Sequence, residues 1–210
     1  MEQVAQKYPA TLAIDYSESS ERVTVLFRLF LAVPIIILLA LLTSSGDSDP
    51  DTANRIYYFS TGGIVVIPTI LMILFRQKYP RWWFDWNLEL TRFITRVLAY
   101  LLLLRDEYPS TDEEQAVHIE IPYPDVQKNL NRWLPLVKWL LALPHIVILA
   151  VLWVAVVLNT LLTWFIILIT GNYPEGLFDF VVGVLRWTIR VSAYSVLLTT
   201  DIYPPFSLTE

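Results

Sequence analysis

Gly171 to Phe206 reads G-N-Y-P-E-G-L-F-D-F-V-V-G-V-L-R-W-T-I-R-V-S-A-Y-S-V-L-L-T-T-D-I-Y-P-P-F, and a second version of the same stretch occupies Lys78 to Ser110. Aligned on the first Tyr-Pro, Tyr79 matches Tyr173, Asp85 matches Asp179, and Arg92, Arg96 and Tyr100 match Arg186, Arg190 and Tyr194. One inserted residue later, Asp106-Glu107-Tyr108-Pro109 matches Asp201-Ile202-Tyr203-Pro204. Working outward, Arg132, Lys138 and Pro144 match Arg22, Arg28 and Pro34 at one constant offset. The chain therefore reads as two repeats, 1–110 and 111–210, and this repetition governs every further assignment.

Composition narrows the class. Hydrophobic residues make up 55% of the 210, concentrated in blocks, which points to a membrane protein. The net charge of −5 argues against a nucleic-acid partner, because such a partner demands a basic surface. With no cysteine there is no disulfide, no thiolate metal site and no cysteine nucleophile. No cleavable signal peptide precedes the first apolar block near Val23, so the first span is expected to act as its own signal.

Each repeat opens on an alternating leader, Leu12 to Tyr16 in the first and Val117 to Ile121 in the second, and each leader suits a strand. The two leaders are expected to pair into a small cytoplasmic sheet, within one chain or between chains. Ser17, Ser19 or Ser20 is a candidate cap for the helix that follows, with Glu18 and Glu21 near its positive end.

The first repeat is expected to hold transmembrane helices over 23–43 and 57–76, joined by the polar loop Ser44–Asn54. Pro34 should kink the first of these, Arg28 should snorkel to the headgroups, and Tyr57-Tyr58-Phe59 should form an interface belt. In the second repeat, Leu140 to Thr170 is uncharged for 31 residues, too long for one span. By analogy with the first repeat it is expected to fold as a hairpin of spans 134–153 and 155–171, turning between Trp153 and Thr160 with Asn159 as a candidate turn residue.

The helices expected over 81–104 and 177–198 are amphipathic. In the first, Asp85, Glu89, Arg92, Arg96 and Tyr100 fall within a sector of roughly 80°, and apolar residues fill the rest. Such helices suit the membrane interface or a partner's charged surface. The fold expected is thus an all-α polytopic membrane protein of two parallel-orientation repeats. Each repeat has a strand-like leader, two transmembrane helices and one amphipathic interfacial helix. With loop 44–54 outside, every one of the 15 basic residues except Arg55 lies on the inner side, which places both termini in the cytoplasm.

Six of the 11 tyrosines precede a proline, and Tyr79, Tyr108, Tyr173 and Tyr203 are expected to mark helix ends at the interface. Arg92, Arg96, Arg186 and Arg190 are the candidates for binding lipid or a partner, or for lining a vestibule. Their alternative is salt bridging with Asp85, Glu89 and Asp179. His145 follows a proline with no second ligand at metal spacing, and reads as a buried interhelical histidine. The acidic run of Asp106, Glu107, Asp112, Glu113 and Glu114 matches no calcium loop. No phosphate loop, nucleophile elbow or zincin helix is present, so no catalytic, metal or cofactor residue is assigned and no enzyme is expected.

The stretch R-W-T-I-R-V-S-A-Y-S-V-L-L-T-T-D-I-Y-P-P-F, with R-W-L-P-L-V-K-W-L-L-A-L-P-H and G-N-Y-P-E-G-L-F-D-F-V-V-G-V upstream, resembles a family of prokaryotic integral membrane proteins, the domain of unknown function four-three-eight-nine. The match is close from Tyr123 to Leu208, and the first half is a divergent copy. The resemblance implies a bacterial or archaeal cytoplasmic membrane protein and transfers no functional residues. The expected function is a non-enzymatic, homo-oligomeric scaffold or interaction protein contacting membrane lipids or a cytoplasmic protein. The alternative is a homo-oligomeric channel with an axial, arginine-lined vestibule favouring anions.

Overall fold

The computed structural model describes residues 8–17, 19–43, 60–111 and 113–209. The loop 44–54, the Tyr57-Tyr58-Phe59 belt, Glu18 and Asp112 lie outside the described residues.

Strand β1 (Thr11–Ile14) pairs antiparallel with β2 (Val117–Glu120), Leu12 opposite Ile119, so the two leaders meet within one chain. Alternation puts Leu12 and Ile119 in the core while Ala13 and His118 face outward.

Helices α1 (Arg22–Leu31) and α2 (Val33–Thr43) form a pair bent by 41° at Ala32. Pro34 is the cause, since it has no N–H for the carbonyl of Phe30 and its ring crowds that oxygen. No serine caps α1; the backbone N–H of its N-cap residue, Glu21, instead donates to the Asp106 carboxylate at 2.8 Å. Helix α3 (Ser60–Leu71) runs on through Pro68 into a wider π turn over Met72–Arg76 and stops at Gln77, left-handed at φ 46°.

Helices α4 (Arg81–Leu101) and α7 (Glu175–Ser195) each start behind a proline, Pro80 and Pro174. Each ends a turn earlier than the apolar pattern implies, because the chain reverses at left-handed Leu103 and Leu198. Between β2 and the next long helix lies the single turn α5 (Val126–Asn129), capped by the Asp125 side chain.

Helix α6 (Pro135–Thr170) corrects the expected hairpin. The spans 134–153 and 155–171 are one continuous helix of 36 residues, ~54 Å long. Nothing between Trp153 and Thr160 breaks it, for the segment holds neither glycine nor proline. Asn159 lies within the helix and donates from Nδ2 to the Leu177 carbonyl of α7 at 3.2 Å. The inner-side placement of both termini assumed two spans in each half, so it loses its footing when the second pair fuses. The end of α6 is as expected, with Gly171 left-handed at φ 84° and Pro174 beyond.

Helix α7 packs along α6 on one side and against β1 on the other; α4 packs on β2, α1 on α6, and α2 on α4. Val181 to Leu185 are all buried, so the second amphipathic helix is a core element rather than a surface one. Helix α6, by contrast, buries only a seam, running through Ala142, His145, Leu149, Val156, Asn159 and Thr163. Its other faces are bare: Val147, Val151 and Ile169 are 64%, 68% and 77% exposed.

Candidate functional site

The four arginines lie on α4 and α7, where helical spacing aims them at the ribbon and at the segment that follows each helix. Arg92 donates from Nη2 to the Ile119 carbonyl at 3.0 Å and pairs through Nη1 with Glu89 at 2.6 Å. Arg186 donates from Nε to the Leu12 carbonyl at 3.1 Å and from Nη1 to that of Leu208 at 3.3 Å. Arg96 holds the Ser110 carbonyl at 2.9 Å; Arg190 holds those of Ser207 at 3.2 Å and Thr209 at 2.6 Å. Guanidinium forks satisfying main-chain oxygens fasten strands and tails to helices. Asp85 pairs with Arg81 at 3.4 Å.

Tyr79 and Tyr173 stand immediately before α4 and α7, both 2% exposed. Burial pushes both phenols up to about 12. The Tyr79 hydroxyl donates to the Leu197 carbonyl at 3.0 Å. Tyr16 donates to the Tyr173 carbonyl at 2.6 Å, and Tyr123 donates to the Tyr79 carbonyl, so each leader's tyrosine secures the helix entry of the other half. Tyr108 and Tyr203 are 47% and 42% exposed and meet Tyr100 and Tyr194 edge-on, each at 5.8 Å.

The sequence reading missed two buried cations. Arg28 does not snorkel outward; it is 2% exposed and turned inward. It donates to the carbonyls of Tyr100 at 3.0 Å and Arg105 at 3.1 Å, pairs with Asp106, and lies 4.6 Å from the Tyr100 ring centroid. Lys138 is wholly buried, donates to the Thr200 carbonyl at 2.7 Å, pairs with Asp201 at 2.7 Å, and lies 5.1 Å from the Tyr194 ring. The second carboxylate oxygen of Asp106 holds the backbone N–H of Glu21, and that of Asp201 holds the N–H of Asn131. The signal was available, since the matched basic and acidic positions had all been found, but nothing in the sequence joined them.

His145 is interhelical as expected: its Nδ1 accepts the indole N–H of Trp187 at 3.1 Å, and its ring stacks on Phe206 at 4.0 Å. Among the described residues no three His, Cys, Asp or Glu side chains gather where they could hold a metal ion.

A cavity of about 670 Å³ opens where α3 ends and α4 begins. Arg76, Lys78 and Arg81 line it together with Tyr79, Tyr123 and Asp125. Arg81 sits over the Tyr123 ring at 4.9 Å, and Asp125 is paired with Lys128 at 3.3 Å.

The molecule is thus a mostly helical protein with a two-stranded ribbon, and its α6 is long and apolar enough to cross a membrane. Residues 132–207 match the family model of a domain of unknown function, DUF4389, so the expected resemblance holds across α6, α7 and the tail. No curated protein and no solved structure matches the chain. The family match brings neither an activity nor functional residues.

Proposed function

We propose that this is an integral protein of a prokaryotic cytoplasmic membrane, non-enzymatic, acting as a homo-oligomeric scaffold that contacts lipid headgroups or a cytoplasmic protein. The observation carrying this reading is α6. Its most apolar window has a mean hydropathy of 2.7, yet only 22% of that window is buried. A helix so apolar and so exposed needs lipid or another protein around it, whereas the core helix of a soluble domain would be enclosed. The exposed apolar residues of α1 and α2, Leu29 and Leu41 among them, extend the same surface.

The scaffold is read as two copies of one unit related by an internal two-fold. Supporting this are the paired clasps of Arg28 and Lys138, the paired arginine staples, and left-handed residues at Gln77 and Gly171 and again at Leu103 and Leu198. Antiparallel pairing of the two leaders suits such an axis. The arginine-lined vestibule has less support, because all four guanidinium groups donate to carbonyl oxygens of their own chain.

Membrane extraction followed by mass measurement tests the proposal. The protein should resist alkaline carbonate, come out in detergent, and have a lipid-corrected mass that is a multiple of 24.3 kDa. Release by carbonate would overturn membrane integration, and a monomer would overturn the oligomer.

A further inference from the structure

We infer that the groove between the end of α3 and the start of α4 is a binding site for the phosphate of an anionic lipid headgroup. This rests on the membrane reading above.

The groove has the size of a small-ligand site, within the range of ~300–1,000 Å³. Among the described residues, three of its lining side chains are cationic and one, Asp125, is a carboxylate, which Lys128 engages. Arg76 and Lys78 are exposed and stand on either side of left-handed Gln77, which turns the chain between them. The first turn of α4 has no side-chain cap and no acidic residue, so its positive end faces the groove uncompensated. Arg81 lies over Tyr123 and pairs through Nε with the exposed Asp85 at 3.4 Å, which leaves its two Nη groups to donate at the rim. Trp82 and Trp86 on the same turn and the next are 69% and 42% exposed, as indoles at headgroup depth are.

The matched position in the other half separates ligand chemistry from folding. Where the first half has Arg76, Lys78 and Arg81, the second has Thr170, Asn172 and Glu175. Glu175 compensates the positive end of α7, which Arg81 cannot do for α4. Yet both halves keep the buried tyrosine, the proline and the buried phenylalanine around which the turn is built, Tyr79, Pro80 and Phe84 against Tyr173, Pro174 and Phe178. The turn folds without the three cations, so their convergence on one groove answers to a ligand. An anion at the membrane surface is the complementary one, and lipid phosphate is the anion present there at high concentration.

The test uses the full chain in nanodiscs of phosphatidylcholine, titrated with short-chain phosphatidylglycerol, short-chain phosphatidylcholine or inorganic phosphate, and followed by tryptophan fluorescence. The wild type should bind phosphatidylglycerol in preference to the other two. At about 5-fold per cation, the triple variant R76Q/K78Q/R81Q should bind it about 100-fold more weakly. Its unchanged melting temperature should show that the fold is intact, and R76Q/K78Q, which touches no described ion pair, should lose about 25-fold. Equal binding by variant and wild type would overturn the site. Equal binding of inorganic phosphate would overturn the lipid assignment. A chain that inserts into discs but shows no anionic preference refutes the groove and leaves the membrane reading standing, whereas a chain that fails to insert refutes both.

Discussion

Leu12 and Ile119 face each other across the ribbon, and each gives its carbonyl oxygen to an arginine, Leu12 to Arg186 and Ile119 to Arg92. The arginine on each long helix therefore holds the strand contributed by the other half. A charge-assisted hydrogen bond contributes ~1.5–3 kcal/mol, and its loss also strands a carbonyl. Arg186→Met should lower stability by about that amount. Arg92→Met should cost less, because Arg92 holds one main-chain carbonyl, that of Ile119, where Arg186 holds two, and its other partner, Glu89, is exposed. Thermal melts in detergent give the order; an Arg92 variant that melts below the Arg186 variant would contradict it.

The clasps predict a sharper asymmetry. Lys138 is buried against Asp201, so removing one partner leaves an uncompensated charge at a cost of ~3–5 kcal/mol. Lys138→Met or Asp201→Asn alone should destabilise by that amount, and the double variant should recover much of it. Lys138→Arg should be tolerated, since the matched clasp is already built on Arg28. A double variant as damaged as the sum of the singles would mean that the pair is not coupled.

These contacts show where sequence reading succeeds and where it stops. Alternation in Leu12–Tyr16 and Val117–Ile121 revealed the strands, and Tyr-Pro followed by a charged stripe revealed α4 and α7, because both are local periodicities. Asn159 and Arg28 misled for one reason: a polar residue in an apolar run was assigned to the nearest water, when each has a carbonyl partner on another helix. The offset is 110 at Arg22 and Arg132 and still 110 at Pro34 and Pro144, but 94 at Tyr79 and Tyr173, a difference of 16 residues that falls between Pro34 and Tyr79. Helix α6 is continuous, and bilayer thickness together with the analogy to the first repeat suggested a turn which its residues do not provide. Arg76, Lys78 and Arg81 are close in sequence, but the groove they line is completed by Tyr123, which comes from the other half.

Alkaline pH should loosen the fold through its buried tyrosines. Tyr79 and Tyr173 ionise near 12 in the folded chain against 10 when unfolded. Between those values the unfolded chain has lost its phenolic protons and the folded chain has kept them, so stability falls as pH rises through this window. Two pH units correspond to ~2.7 kcal/mol for each tyrosine. Below pH 10 the contribution is complete. Unfolding followed by phenolate absorbance should steepen across the window, and Tyr173→Phe should flatten it. An unchanged slope in that variant would remove Tyr173 as a source.

The continuity of α6 has the most direct consequence, because it decides whether Leu136 and Ile169 are neighbours or lie far apart. They are 33 residues apart on one helix, which puts ~50 Å between them. A hairpin turning near Asn159 would bring the two arms to the ~8–10 Å spacing of packed helices. The chain has no cysteine, so a Leu136→Cys/Ile169→Cys pair can be spin-labelled without background. Leu136 and Ile169 are 43% and 77% exposed, which leaves room for the labels. A dipolar distance distribution centred near 50 Å is the expected result. A short distance would replace the single helix with two spans, bring both ends of α6 to one side of the membrane, and restore the arrangement in which the two termini share the cytoplasm.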